Sequence, residues 1–310
     1  MFRELFIKLS TNKISEKVLL ALPFGMRSAK RFVAGYLVDE LMDVGLDLQQ
    51  RGYKVTADHL GEEVSSRKLI KKAIKDYHEL LEEISMSKIK KPSISVKLSQ
   101  IGLKVGESFA LKNLKEILTV AKVRGVRVEI DMESSEYKDA TVKMYKKVLK
   151  KFPGTGMAIQ AYLFDTPNDL RSIIKLKGAS IRLVKGAYME SEEIAFQDKK
   201  EVDLNFELCL NMMFSPEAKK NKFRPLVGTH DEKLLRTALR EAKRNKWKYT
   251  DFEFEMLYGI RRDLQRWLLG KGYCVRLYVP YGDAWYPYFM RRLAERPANT
   301  WFVLKNLFKG

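Results

Sequence analysis

From Gly52 onward the chain alternates two kinds of pattern. Short runs bounded by glycine, proline or polar turns fall at 53–60, 93–99, 126–132, 156–162, 180–185, 225–230, 251–257 and 274–280. Inside them apolar and polar residues alternate with a period of two: Ile94, Val96 and Leu98 against Ser93, Ser95, Lys97 and Ser99, and Val128 and Ile130 against Arg127, Glu129 and Asp131. That period predicts strands. Between them, stretches such as 111–122, 137–152, 232–246 and 259–269 repeat their apolar residues at helical spacing. Repeated strand and helix units imply parallel strands with helical crossovers, an α/β fold, and eight units at this length fit a closed (β/α)8 barrel better than an open sheet. Residues 1–52 read as helical throughout, so the expected organisation is an N-terminal helical segment at 1–52 and a barrel domain at 53–310. No GxGxxG follows a strand, since Gly154 and Gly156 lie in a loop before one, and a Rossmann unit therefore has little support.

In such a barrel the outward strand face packs on helices and must be apolar, so the polar face should line the lumen with acids and bases neutralising each other. The same alternation brings out Thr56, Asp58, Gln160, Arg182, Glu253, Glu255, Arg276 and Tyr278. Active sites of barrels lie at the carboxyl ends of the strands, where Lys97, Asp131, Gln160, Lys185, His230 and Tyr278 fall. Glu129, Glu253 and Arg276 read instead as a charge-balanced structural network, and Lys97, Asp131 and Arg182 as site residues. His78 belongs on a helix surface and His59 at a strand end with its hydrogen bonds met; His230, between Thr229 and Asp231, is the better site candidate.

The last stretch is the densest. A helix beginning near Tyr286, with Pro287 in its first turn, should run to a stop at Pro297; Asn299 and Thr300 can cap a further helix that buries Trp301, Leu304 and Phe308. Tyr288, Arg291, Arg292 and Glu295 share one face of the first helix. The Arg-Arg-x-x-Glu pattern alone favours a solvated face with an internal ion pair. Over a polar barrel mouth, two guanidinium groups can instead grip a carboxylate in a fixed plane.

Composition narrows the partners. The net charge of +19 over 310 residues admits nucleic acid, an anionic membrane or a solvated basic surface, and lysines spread over helices, with no basic arm, favour the last. Cys209 and Cys274 make no metal-type spacing and imply a reduced, cytoplasmic chain. No run reaches membrane-spanning length, and contact with the inner face of a membrane is left open. HExxH, DxDxDG, GxSxG and P-loop motifs are missing, so no metal is expected. Cations, an aspartate and aromatics without a metal suggest an anionic small substrate handled by an organic cofactor.

These residues also carry a family likeness. YKVTADHLGE at 53–62, Lys97 in SISVKLS, EIDME at 129–133, AIQAY at 158–162, RLVKGAY at 182–188, VGTHD at 227–231, FEMLYGIRRDLQ at 254–265 and the YxxRRxxE helix with ERPANTWFVLKNL behind it resemble the monofunctional bacterial proline dehydrogenases. The likeness runs from about Arg31 to Phe308. It implies a flavoenzyme that oxidises L-proline to 1-pyrroline-5-carboxylate by hydride transfer to FAD and passes electrons to a membrane quinone. By matching position it implies that Arg291, Arg292 and Lys97 hold the proline carboxylate with Glu295 bracing them. Tyr278, Tyr288 and Leu257 would wall the ring, the tyrosine at 278 favouring proline over hydroxyproline. Asp131 and Arg182 would be the catalytic pair, Arg182 beside the flavin edge. Gln160, Thr229, His230 and the backbone near Ile130, Val184, Lys185 and Gly186 would contact FAD. Because the chain stops at Gly310, a separate pyrroline-5-carboxylate dehydrogenase is expected to take the product. Oxidation of hydroxyproline or a related cyclic amino acid is the nearer alternative, and a basic barrel binding nucleic acid or anionic membrane the remoter one.

Overall fold

A computed structural model describes residues 29–61 and 64–295. Eight parallel strands close into a barrel in sequence order. They are β1 (Lys54–His59), β2 (Ser93–Val96), β3 (Arg127–Ile130), β4 (Gly156–Gln160), β5 (Ser180–Val184), β6 (Arg224–Val227), β7 (Glu253–Leu257) and β8 (Val275–Tyr281). The helices that cover them are α1 (Val38–Gln50), α2 (Arg67–Met86), α3 (Glu107–Arg124), α4 (Ser135–Leu149), α5 (Thr166–Ile174), α6 (Lys199–Met213), α7 (Pro216–Lys220), α8 (Glu232–Arg244), α9 (Arg262–Gly270) and α10 (Trp285–Glu295). β1 and β8 pair along six residues, from Lys54 with Arg276 to His59 with Tyr281, which closes the ring.

The core follows from the alternation. Ile94, Val96, Val128, Ile130, Ile181 and Leu183 point outward into one cluster with the inner faces of the helices. On α2 the buried residues Ile70, Ala73, Tyr77, Leu80, Leu81 and Ile84 recur every three or four positions. Each fully buried leucine there contributes about 1.5–3 kcal/mol through removal of apolar surface from water. Asp198 and Asp231 cap α6 and α8, accepting hydrogen bonds from the backbone N–H groups of Lys200 (2.6 Å) and Lys233 (3.1 Å). Cys209 is buried, whereas Cys274, just before β8, is only half-buried.

A second, smaller cluster sits at the carboxyl ends of the strands. Trp285, Tyr286, Tyr288, Phe289, Met290 and Leu293 of α10 pack with Phe32, Val33, Leu60 and Ile260. Leu60 follows β1 and Ile260 follows β7, so α10 lies across that rim.

The expectation of helix throughout the first 52 residues fails at 32–37, and α1 begins only at Val38. The backbone is used otherwise there: Ala34 N–H donates to the Pro280 carbonyl (2.8 Å) and Gly282 N–H to the Gly35 carbonyl (3.0 Å), tying the segment to the end of β8. Glu40 then accepts from the N–H groups of Tyr36 (2.7 Å) and Leu37 (3.2 Å), which starts the helix. Gly259 (φ 79°) lets the same segment approach, because a Cβ there would stand 1.9 Å from the Arg31 carbonyl oxygen. The expected helices before residue 29 and after Pro297 lie outside the described residues.

Candidate active site

The polar strand faces do point inward, shown by ion pairs that cross the lumen. Arg127 of β3 reaches Glu255 of β7 at 3.0 Å, and Arg182 of β5 reaches Glu129 of β3 at 3.2 Å and Glu255 at 3.5 Å. Charges buried this deeply are tolerable only in such company.

At the carboxyl end the network tightens around two residues that lie just past their strands. β2 and β3 end at Val96 and Ile130, shorter than their sequence runs, because the chain turns at once: Gln100 N–H donates to the Lys97 carbonyl (3.2 Å). Lys97 therefore stands at the first turn of its loop, and Asp131, whose N–H donates to the Val96 carbonyl (3.0 Å), directly follows β3 at the mouth. Lys97 Nζ contacts Asp58 Oδ1 (2.5 Å) and Asp131 Oδ2 (3.1 Å). The Tyr278 hydroxyl donates to Asp131 Oδ2 (2.7 Å), and Arg182 Nη2 hydrogen-bonds Asp131 Oδ1. The Arg182 guanidinium also lies 5.1 Å from the centre of the Tyr278 ring.

Burial opposes ionisation of Asp131, but Lys97 and Arg182 outweigh it and hold its carboxyl down at about 2. Lys97 is likewise desolvated, yet Asp58, Tyr278 and Asp131 hold its pKa well above the usual value, so it stays charged. The Tyr278 hydroxyl is pushed well up by burial and by the neighbouring Asp131, and it keeps its proton. Deeper down, burial and the adjacent Glu129 raise Glu255 to about 8, while Glu129, flanked by Arg127 and Arg182, is lowered despite its burial. One proton is thus kept beneath Arg182 at neutral pH.

Above this cluster, α10 presents Tyr288 and Arg292, both buried, and Arg291, half-buried. The Arg292 guanidinium lies 4.9 Å from the Tyr288 ring centre. The solvated face that the motif alone favoured is not what forms: Arg292 is buried on α10, whose apolar residues pack on Phe32 and Ile260. Leu257 packs against the same cluster. Glu295 ends the helix, and its side chain lies outside the described residues.

The remaining candidates ring the mouth on the other side. His230 Nε2 accepts the Leu257 N–H (2.9 Å), so the imidazole carries its proton on Nδ1. The Thr229 hydroxyl accepts the Asp231 N–H (3.2 Å). The carbonyls of Val184 and Lys185 accept from Ala161 and Tyr162 (both 2.8 Å). The Lys185 ammonium turns away to Asp203 and Asp231 (2.9 Å), which leaves only its backbone near the mouth. Ile130 sends its side chain into the core, and Gly186 takes φ 121°.

Gln160 provides the test of fit for a cofactor. Its Nε2 donates to the Met132 carbonyl at 3.5 Å, while its buried Oε1 has no hydrogen-bond partner among the described residues. A buried acceptor of this kind requires a donor, and a ring N–H of a flavin is one. The described residues contain no cluster of side chains able to hold a metal, and no helix long and apolar enough to cross a membrane.

Sequence reasoning passed over two residues here. Asp58 was seen only as one more lumen polar group, although its inward parity at a strand end marked it as a partner for Lys97. His59 was expected to be satisfied, yet its buried Nδ1 has no hydrogen-bond partner among the described residues, and burial lowers its pKa.

Comparison with known proteins agrees with the geometry. The family described as proline dehydrogenase matches residues 42–305. Proline dehydrogenase 1 of Bacillus subtilis (strain 168) is 38% identical over 310 residues, covering 100% of both chains. Proline dehydrogenase of Deinococcus radiodurans is 36% identical over 287 residues, 91% of this chain and 90% of that one. Among solved structures, proline utilization A from Bdellovibrio bacteriovorus, inactivated by N-propargylglycine, superposes with a TM-score of 0.82 at 24% identity over 94% of this chain and 36% of its own, a likeness of fold.

Proposed function

Because this chain belongs to the proline dehydrogenase family and is an oxidoreductase acting on proline, we propose that its carboxyl-end rim oxidises L-proline to 1-pyrroline-5-carboxylate with FAD as the oxidant and a quinone as the final electron acceptor. The observation that carries this reading is the pairing of Lys97 and Arg182 on Asp131 at the carboxyl-end rim that α10, with its buried Arg292, packs across.

In this reading Arg291, Arg292 and Lys97 clamp the proline carboxylate, since guanidinium donors fit its two oxygens and fix the ring in one orientation. Glu295 braces the clamp. Tyr278, Tyr288 and Leu257 wall the ring and exclude water from it. Asp131 orients both Lys97 and Arg182, so neither cation drifts when substrate enters. A bound flavin would supply the two-electron acceptor for the ring carbon beside nitrogen. Arg182 contributes a fixed positive charge toward the electron-rich form of that acceptor. The amide of Gln160, the backbone near Ile130, Val184, Lys185 and Gly186, and Thr229 with His230 hold the cofactor.

The product then passes to a pyrroline-5-carboxylate dehydrogenase. The bifunctional protein PutA of Escherichia coli, 25% identical over 88% of this chain but only 24% of its own length, is consistent with a second activity carried elsewhere. The charge of +19 suits a peripheral stay at an anionic inner membrane face. Anaerobic titration with L-proline tests the core of the reading: the flavin absorbance of the purified protein should bleach, and a flavin-loaded protein that proline leaves oxidised would refute it.

A further inference from the structure

The amino-terminal mouth of the barrel, at the opposite end from the proposed active site, holds a second concentration of cations. Lys54, Arg127 and Arg224 are the first residues of β1, β3 and β6, and Arg276 is the second of β8, so the parallel sheet brings all four to one end. They share one carboxylate, that of Glu253: Lys54 at 2.6 Å, Arg276 at 2.8 Å, Arg127 at 3.6 Å and Arg224 in hydrogen-bond contact. The other acids in reach of Arg127, Glu129 and Glu255, are shared with Arg182. The lower network is left with more donors than acceptors. The Nε atoms of Arg127 and Arg224 are buried with no hydrogen-bond partner among the described residues.

The backbone adds an independent sign. Two residues before β2 and β6 stand Lys91 (φ 52°) and Lys222 (φ 55°), where the equivalent places before β3 and β5 hold Gly125 (φ 67°) and Gly178 (φ 74°). A left-handed residue is glycine's role, and a lysine accepts it against the crowding of its own Cβ. Both lysines face cavities at this mouth. One, of about 510 Å³, is lined by Lys91 with Lys54, Arg127, Arg224 and Arg276. The other, of about 600 Å³, is lined by Lys222, Lys219 and Lys248 with Asp251 and again Arg127 and Arg224.

We propose that this mouth is a binding site for a phosphate-bearing anion, with Arg127 and Arg224, common to both cavities, as its central contacts and Lys91 and Lys222 on either side. Guanidinium forks match phosphate oxygens, and the cavities have the size of small-molecule sites. A free diphosphate and a lipid headgroup offer the same chemistry.

The test uses the full chain as purified and the double variant Lys91→Gly, Lys222→Gly. Glycine suits both left-handed positions, so without anion the variant should melt at or above the parental temperature, which separates lost binding from lost folding. Pyrophosphate at about ten times its Kd should raise the parental Tm by about 3 °C beyond chloride at equal ionic strength, and the variant should bind at least about tenfold more weakly. Proline turnover should be unchanged in the variant. A pyrophosphate response lost in the variant supports a soluble anion. Parental sedimentation with phosphatidylglycerol but not phosphatidylcholine vesicles, lost in the variant and without a pyrophosphate response, supports the headgroup. If neither probe distinguishes the two proteins, the proposal is overturned.

Discussion

The two ends of the lumen are made of the same residue types and behave differently. At the amino end a single carboxylate, Glu253, is surrounded by cations, and Arg276 is pinned to the carbonyls of Val55 (2.7 Å) and Lys91 (3.2 Å) and to the Ser93 hydroxyl (3.0 Å). At the carboxyl end Asp58 and Asp131 divide Lys97 and Arg182 between them, Tyr278 joins in, and an aromatic-rich helix covers the group. The lower set is held by backbone and strand; in the upper set Lys97 and Asp131 lie just past their strands, facing Asp58, Arg182 and Tyr278 on theirs, at the rim that α10 packs across. Polar alternation along a strand therefore marks the lumen, and the direction of the chain decides which end can do chemistry.

The largest effect expected from this contrast is at the lower end. Glu253→Gln removes the shared counter-charge of Lys54, Arg127, Arg224 and Arg276. Losing one partner of a buried ionic network costs about 3–5 kcal/mol, read as a fall in the urea midpoint. Asp58→Asn at the upper end should cost less, about 1–3 kcal/mol, because Asp131 still neutralises Lys97. Equal losses would mean that the upper cluster is as purely structural as the lower.

Next comes substrate binding. Arg292→Met and Arg291→Met should each raise the KM for proline about 30- to 100-fold, a loss of about 2–3 kcal/mol for a charged hydrogen bond, with flavin still bound. Unaltered proline kinetics would remove the clamp. Tyr278→Phe, which deletes the donor to Asp131, should narrow the preference for proline over hydroxyproline by about tenfold, or about 1.4 kcal/mol. A selectivity ratio identical to the parent's would take Tyr278 out of that role.

Much of this was legible in the chain. Eight alternating runs imply the barrel, and inward parity along them is enough to place Lys97, Asp131, Arg182 and Tyr278 on the lumen side. The misses have physical reasons. Residues 32–37 carry helical spacing, but hydrogen bonds to Pro280 and from Gly282 claim their backbone, which no local pattern records. Arg-Arg-x-x-Glu looks solvated because the packing of α10 on Phe32 and Ile260, distant in sequence, leaves no trace in the local pattern. Lys185 looked like a lumen group, but its ammonium reaches Asp203 and Asp231 on the outer helices.

The smallest effect is the most diagnostic, because it changes sign with pH. Burial and Glu129 raise Glu255 from its ordinary 4.5 to about 8 in the folded state. The folded protein then keeps a proton that the unfolded chain has released, so this group's contribution is fully present below about 4.5 and is lost as pH rises through about 8. Asp131 runs the other way: held at about 2 against 3.8, it stabilises above 3.8 and loses that contribution only as pH falls toward 2. Between these windows Glu255 lowers stability as pH rises, while His59, whose pKa burial lowers from its ordinary 6.5, works against it on the acid side; Glu255→Gln removes only the first contribution. Glu255→Gln copies the protonated carboxyl, so at pH 5 it should change stability by less than about 1 kcal/mol. At pH 8.5 the parent must ionise Glu255 beside Glu129 or hold its proton against the solvent, and the amide does neither. The variant should there be the more stable of the two, and its denaturation midpoint should be flatter between pH 5 and 8.5. A variant that tracks the parent's pH profile would place the shared proton elsewhere and leave the charge above Arg182 unsupported from below.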